Sequence, residues 1–272
     1  MLRSMITATN TMGQLQKQLD IIGNNMANID TTGFKRTETS FGELVRQQIT
    51  SYPNQDQDQN RLTAPGLRQG VGALLRSQSV FTQGSIKQTD RELDIALTAP
   101  GQFLQVEADG EMRYTRDDAL YLTPINNNQV TLVNTNGNQI LDENQQPIIL
   151  DNSFKEIQIS QEGILTAVPV NASDVPQTAN LGIVKVENAQ MLSSAGENLF
   201  QLNENADGNI VLTYLEGELR QTIGIKQKAL ETSNVDMAKE MTDLMISQRS
   251  YQMNARSISM GDQMLGLINS VR

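Results

Sequence analysis

Met5, Ala8, Met12, Leu15, Leu19, Ile22, Met26 and Ile29 follow Met1 at alternating steps of three and four. Side chains three and four apart share a helix face, so this spacing predicts one amphipathic helix over residues 2–29. At ~1.5 Å per residue it would be about 40 Å long. Gln14, Gln16, Lys17, Gln18 and Asp20 lie off the stripe. A stripe this narrow predicts packing against another helix rather than onto a broad core. Asp30-Thr31-Thr32-Gly33 supplies polar turn formers and a glycine to stop the helix.

A second helix is predicted over about 233–271, with Ser233 or Asn234 as its N-cap and Asp236 favouring its positive end. Leu244, Tyr251, Ile258 and Leu265 recur every seven residues, with Met241, Gln248 and Ala255 as companions. A seam carrying so many polar positions suits a helix that meets several different neighbours. Neither helix buries enough to stand alone, so the N-terminal one needs the C-terminal one and neighbouring subunits to stay ordered.

Between them the period changes. Residues 35–50 are expected to resume helix, and Tyr52-Pro53-Asn54 through Asn60 begins a polar linker over 51–70. From 71 to 230 the signals are short strands. Gln102-Phe103-Leu104-Gln105-Val106 and Ile157-Gln158-Ile159 alternate as half-buried strands do, while Asp109-Gly110, Asn136-Gly137 and Asp207-Gly208 mark tight turns. The predicted fold is α+β: N- and C-terminal helices pair as a coiled-coil stalk, with a central irregular antiparallel β domain. The expected segments are 1–50, 51–70, 71–230 and 231–272. Helical ends around such a middle predict a protein that polymerises, with the two terminal seams as assembly surfaces.

Composition narrows the chemistry. The chain has 272 residues, no His, no Cys and a formal charge of -10. The acidic balance disfavours nucleic acid or an anionic membrane as partner. Without His or Cys the usual general base, thiolate nucleophile and commonest metal ligands are missing. No apolar stretch approaches the ~20 residues that span a bilayer, and residues 1–22 lack the apolar core of a cleaved leader. The Met-rich stripe is adaptable packing. Asp56, Asp58 and Asn60 open like a calcium loop, but Arg61 and Leu67 stand where Gly and Glu are needed. Asp117-Asp118 and Glu216-Gly217-Glu218 are read as solvated turns. No catalytic residue, cofactor or metal is assigned, and the chain is expected not to be an enzyme.

Residues 19–35, Leu-Asp-Ile-Ile-Gly-Asn-Asn-Met-Ala-Asn-Ile-Asp-Thr-Thr-Gly-Phe-Lys, resemble the N-terminal motif of flagellar basal-body rod and hook proteins. The positions that match are Asn24, Asn25, Ala27, Asn28, Thr31, Gly33, Phe34 and Lys35. The C-terminal match runs through Ser233, Asn234 and Val235 to Gln248, Arg249 and Tyr251. Phe81 to Ile86, Leu93 to Leu97 and Tyr114-Thr115-Arg116 are similar to the family's β core. Ala99-Pro100-Gly101-Gln102-Phe103-Leu104 and Asp117-Asp118-Ala119-Leu120 depart from its pattern. Length favours a distal or proximal rod type over a longer hook protein, and a divergent rod-like paralogue of the kind seen in Gram-positive bacilli is the best likeness.

The resemblance implies a helical homopolymer whose terminal helices form the inner tube of a torque-transmitting rod. Its implied partners are other copies of the chain, other rod and hook proteins, and the flagellar type III export gate. Its implied place is the basal body, outside the cytoplasmic membrane. Phe41-Gly42-Glu43-Leu44-Val45 is similar to the gate-recognition element of such substrates, with Phe41 and Val45 as its anchors. A secreted coiled-coil adhesin or phage tail component is the second reading, and it leaves both terminal motifs unexplained. A carboxylate-based hydrolase is the third.

Overall fold

The computed structural model describes residues 2–43, 46–49, 67–70, 73–126, 128–171, 175–203 and 211–270. The chain forms two compact units. The first holds Met1–Met26, Thr37–Gln78 and Met237–Arg272, and the second Ala27–Arg36 and Ser79–Asp236. Residues 51–66 of the linker predicted over 51–70 and the turn at Asp207-Gly208 lie outside the described residues, as does Val45.

In the first unit, helix α1 spans Leu2–Ala27 and helix α2 spans Met237–Ser270. Along α1, Ala8, Leu15 and Ile22 are buried, with Met5, Met12, Leu19 and Met26 half-buried beside them. The two helices run antiparallel. Near the start of α1, Met5 lies against Gly261 near the end of α2, where an added Cβ would stand 3.0 Å from the Met5 Cγ. At the other end Lys239 pairs with Glu38 at 3.0 Å.

Helix does not resume after the turn. Thr37–Glu43 pairs with Ala73–Ser79, and Arg46–Ile49 pairs antiparallel with Leu67–Gly70. The cause lies in Asn25, whose amide accepts from Thr37 N–H and donates to Thr37 C=O, each at 2.9 Å. That side chain mimics a neighbouring strand's peptide and holds Thr37 extended, and the β-branched Thr37 and Thr39 suit strand. At its other edge, Gln14 on α1 accepts from Leu75 N–H at 3.1 Å.

The second unit is antiparallel throughout. Strand Gln102–Ala108 lies near its centre. One of its edges pairs with Glu111–Thr115 through a turn in which Asp109 and Gly110 have φ of 55° and 76°. Both positive values fit the two-residue hairpin predicted from Asp-Gly. The other edge is shared by Ile183–Val186 and Gln139–Ile140. A smaller sheet of Phe154–Ile159, Ile164–Pro169 and Gln177–Asn180 completes the unit.

Strand Gln102–Ala108 departs from the half-buried expectation because both of its faces are covered. Leu104, Val106 and Ala108 join the larger core with Leu120, Leu132 and Ile140. Phe103 points the opposite way, into a second core with Tyr114, Val184 and Phe200. There Phe81, Phe103 and Phe200 meet edge-to-face with centroids 5.1–5.8 Å apart. Gln102 is buried yet satisfied, donating to Thr222 C=O and accepting from Gly224 N–H. Ile157-Gln158-Ile159 does alternate, with both isoleucines buried and Gln158 exposed. Replacing Phe103 with Ala removes the centre of the aromatic triad and should lower the stability of this unit by about 3–5 kcal/mol. Urea unfolding followed by circular dichroism would read the loss.

Candidate functional site

Two short strand pairs bring the C-terminal segment into the second unit. Ile225–Gln227 pairs with Ile95–Leu97, and Ala229–Glu231 pairs with Ile86–Gln88. Alternation places Ala229 and Glu231 on one face, and both are fully buried. A carboxylate at that position must find partners or lose its charge. It finds three donors. Glu231 Oε1 accepts from Lys35 Nζ at 2.5 Å and from Gly84 N–H at 2.7 Å, while Oε2 accepts from Arg116 Nε at 2.9 Å.

Each partner belongs to a different stretch of sequence. Lys35 closes the N-terminal motif and also donates to Thr82 C=O at 3.1 Å. Arg116 ends the hairpin arm after Glu111–Thr115 and donates from Nη2 to Leu97 C=O at 3.1 Å. Both cations are buried. Two glycines let the backbones close over the cluster. At Gly33, which has a φ of 66°, a Cβ would stand 1.9 Å from Arg116 O, and at Gly84 one would stand 2.0 Å from Thr232 O. Gly33 therefore does not stop the helix, which ends at Ala27. Its N–H donates to Glu231 C=O at 2.9 Å.

Asn234 performs a second closure. Its Oδ1 accepts from Arg36 N–H at 2.8 Å, and its Nδ2 donates to Val80 C=O at 2.8 Å and Thr82 C=O at 2.9 Å. Because its amide is used in this way, Asn234 does not cap α2, which starts at Met237. Ser233 Oγ accepts from Val235 N–H at 3.3 Å in a local turn. Thr32 Oγ1 donates to Asp117 Oδ1 at 3.0 Å, and Asn198 Nδ2 to Thr32 C=O at 3.2 Å. Thr31 Oγ1 donates to Asn28 Oδ1 at 3.2 Å. The N-terminal loop, the β unit and the C-terminal strand are thus tied at one place.

Asp117 and Asp118 are not solvated. Asp117 is 4% exposed and Asp118 fully buried. Leu97 N–H donates to Asp118 Oδ2 at 3.2 Å, and Oδ1 has no hydrogen-bond partner among the described residues. Burial therefore outweighs the nearby Arg116 and pushes the Asp118 carboxyl up to about 8, with Glu231 and Asp117 adding to the rise. Burial, followed by the Arg116 charge, holds the Lys35 ammonium below the ordinary lysine range, while Glu231 opposes the shift.

The remaining predicted positions fall as follows. Ile29 is half-buried in the turn after α1, and Phe34 half-buried beside Lys35; Asn24 and Ala27 are exposed, and Asn28 is half-buried. On α2, Leu244, Tyr251, Ala255, Ile258 and Leu265 are half-buried, while Met241, Gln248 and Arg249 are exposed. Glu240, Ser247 and Gly261 are buried on α2; Glu240 belongs to the C-terminal family match without an assigned role, and sequence reasoning passed over Ser247 and Gly261. Ser247 and Gly261, small residues fourteen positions and so two heptads apart, were the available signal. Phe41 lies in a strand, but its side chain falls outside the described residues. Arg116 was quoted as a motif member without a role and Glu231 stands just before Ser233 of the C-terminal motif, since a lone charge in sequence does not name its partner.

Terminal helices in one unit, and a β unit that binds the roots of both ends, define an α+β subunit organised around its termini. Three family models match those same regions. The model for flagella basal body rod proteins matches residues 5–35, that for the flagellar hook protein FlgE/F/G D1 domain 99–167, and that for the flagellar basal body rod FlgEFG C-terminal region 226–271. The chain is 52% identical to the flagellar hook-basal body complex protein FlhP of Bacillus subtilis over the full length of both. It is 31% identical to the flagellar basal-body rod protein FlgG of Agrobacterium fabrum over 98% of each chain. Against FlgG of Bacillus subtilis the identity is 30% over 97% of each. The chain belongs to the flagellar basal-body rod and hook protein family.

The folded-state value of Asp118 lies above that of an unfolded carboxyl. Its contribution to stability is therefore fully present below about pH 4 and is lost as pH rises through about 8. Asp118→Asn should flatten that slope of stability against pH. Thermal melts between pH 4 and 9 would show it, and an unchanged slope would remove Asp118 as the cause.

Proposed function

We propose that the chain is a structural subunit of the flagellar rod or rod–hook region, assembling through its terminal helices with copies of itself and with other rod and hook proteins. Its activity is mechanical rather than catalytic: the polymer transmits torque, and the second unit forms its outer layer. The observation that carries this reading is a second apolar stripe on α2. Ile246, Met253, Met260 and Leu267 recur every seven residues, and each is more than half exposed. The positions covered within the chain, Glu240, Ser247 and Gly261, lie on another face. An exposed apolar row of this length marks an association surface, and methionine suits one that must fit non-identical neighbours. The seams named from sequence, Met5 to Ile29 and Met241 to Leu265, supply the inner contacts of the same assembly. The amides of Asn24 and Asn28 bind neighbouring subunits.

The subunit leaves the cell through the flagellar type III apparatus, with Phe41 and Val45 as the element read at the gate. No helix among the described residues is long and apolar enough to cross a membrane.

Deletion of the gene should stop swimming and leave truncated rods or missing hooks in electron micrographs of purified basal bodies. Normal motility with intact filaments would overturn the proposal. Met260→Glu should abolish self-association in sedimentation while shifting chain stability by less than about 0.5 kcal/mol, as an exposed site predicts. Phe41→Ala should lower secretion of the chain without changing its melting temperature; undiminished secretion would dismiss the gate element.

A further inference from the structure

We propose that the Lys35–Glu231–Arg116 cluster is a one-way closure lock. The N-terminal loop, residues 27–36, docks on the β unit only after the C-terminal strand Ala229–Glu231 is in place, whereas that strand docks without the loop. The direction follows from how the partners are distributed. Deprived of Lys35, the Glu231 carboxylate keeps Arg116 Nε at 2.9 Å and Gly84 N–H at 2.7 Å, and both donors lie in the β unit itself. The strand also keeps its register on Ile86–Gln88. Its charge stays paired and its backbone stays bonded.

Deprived of Glu231, Lys35 faces a different surrounding. Among the described residues its ammonium retains only the Thr82 carbonyl as a hydrogen-bond acceptor, inside a site where Arg116 is a second buried cation. Asp118 is a poor substitute anion, because its buried carboxyl makes one hydrogen bond and resists ionisation. Two buried like charges without their shared anion repel, and removing one member of a buried pair is far more damaging than replacing both. Gly33 N–H also loses the Glu231 carbonyl, and Arg36 N–H loses Asn234 if the segment beyond is absent. The loop then lacks every C-terminal contact that holds it.

The two partners are far apart in the sequence, since Lys35 and Glu231 stand 196 positions from each other in a chain of 272. In a chain delivered N-terminus first, the loop that follows α1 would stay open until the last strand arrives. This consequence rests on the export reading; the lock itself does not.

Hydrogen exchange followed by mass spectrometry on the purified full-length chain tests it. In Glu231→Gln, amides of residues 27–36 should exchange faster by a factor on the order of a hundred, while strand 102–108 keeps its protection. In Lys35→Met, residues 229–232 should stay protected to within about threefold, because Thr232 N–H still donates to Ser85 C=O. The double variant Lys35→Met with Glu231→Gln should recover most of the loop's protection, since the cation that needed the anion is gone. Wild-type protection of the loop in Glu231→Gln would overturn the lock. So would equal loss of protection in strand 102–108, or loss of the C-terminal strand in Lys35→Met.

Discussion

One buried carboxylate organises the second unit. Glu231 has no exposure to solvent, and its carboxylate is bonded by an ammonium, a guanidinium and a backbone N–H that come from residues 35, 116 and 84. A charge in that position is stable only with a cation and hydrogen-bond donors beside it, because an unpaired buried ion costs several kcal/mol. A hydrophobic residue there could contribute as much to stability. It would not require that these three segments, and no others, meet at this point.

Local geometry follows from that requirement. Gly33 and Gly84 are the places where backbone crosses backbone over the cluster, and at both a side chain would collide with a carbonyl oxygen. Asn234, three positions beyond Glu231, uses its amide to hold Arg36, Val80 and Thr82. Asn25 does the equivalent work in the first unit, where its amide replaces a strand partner for Thr37. Amides serve at such places because one group can donate and accept at once, and they hold a chain crossing without adding charge.

The helical unit follows another rule. Its buried positions on α2 include small or polar residues such as Ser247 and Gly261, and Gly261 allows Met5 to approach closely. Ile246, Met253, Met260 and Leu267 of α2 are turned outward instead, while Leu244, Tyr251, Ile258 and Leu265 are only half-buried. This is the reverse of a self-sufficient helical hairpin, in which large residues fill the internal seam. A helix so arranged keeps its greatest hydrophobic driving force for partners outside the chain. In the β unit, by contrast, Phe103, Leu104 and Val106 are spent inside, on two cores that cover both faces of one strand.

The sequence by itself determined the elements whose signals are local. The three–four spacing from Met5 to Met26 specified α1 because helix periodicity needs only neighbours along the chain. Asp109-Gly110 specified its turn through backbone sterics alone. The two terminal motifs were legible in the same way, as residues in order. What only the tertiary structure decided is where non-local partners meet. Residues 37–43 and 46–49 became strands because Asn25 and the strands at 73–79 and 67–70 offered them hydrogen bonds. Asp118 became a buried, proton-retaining acid rather than a turn residue because the fold removes its carboxyl from water, an effect that outweighs the nearby Arg116 and the Leu97 N–H. Glu231 looked like one more charge beside a motif until the fold brought Lys35 and Arg116 to it. Periodicity reports which side of an element is apolar; it carries no information on which distant charge will face which, since that depends on a register set by the whole sheet.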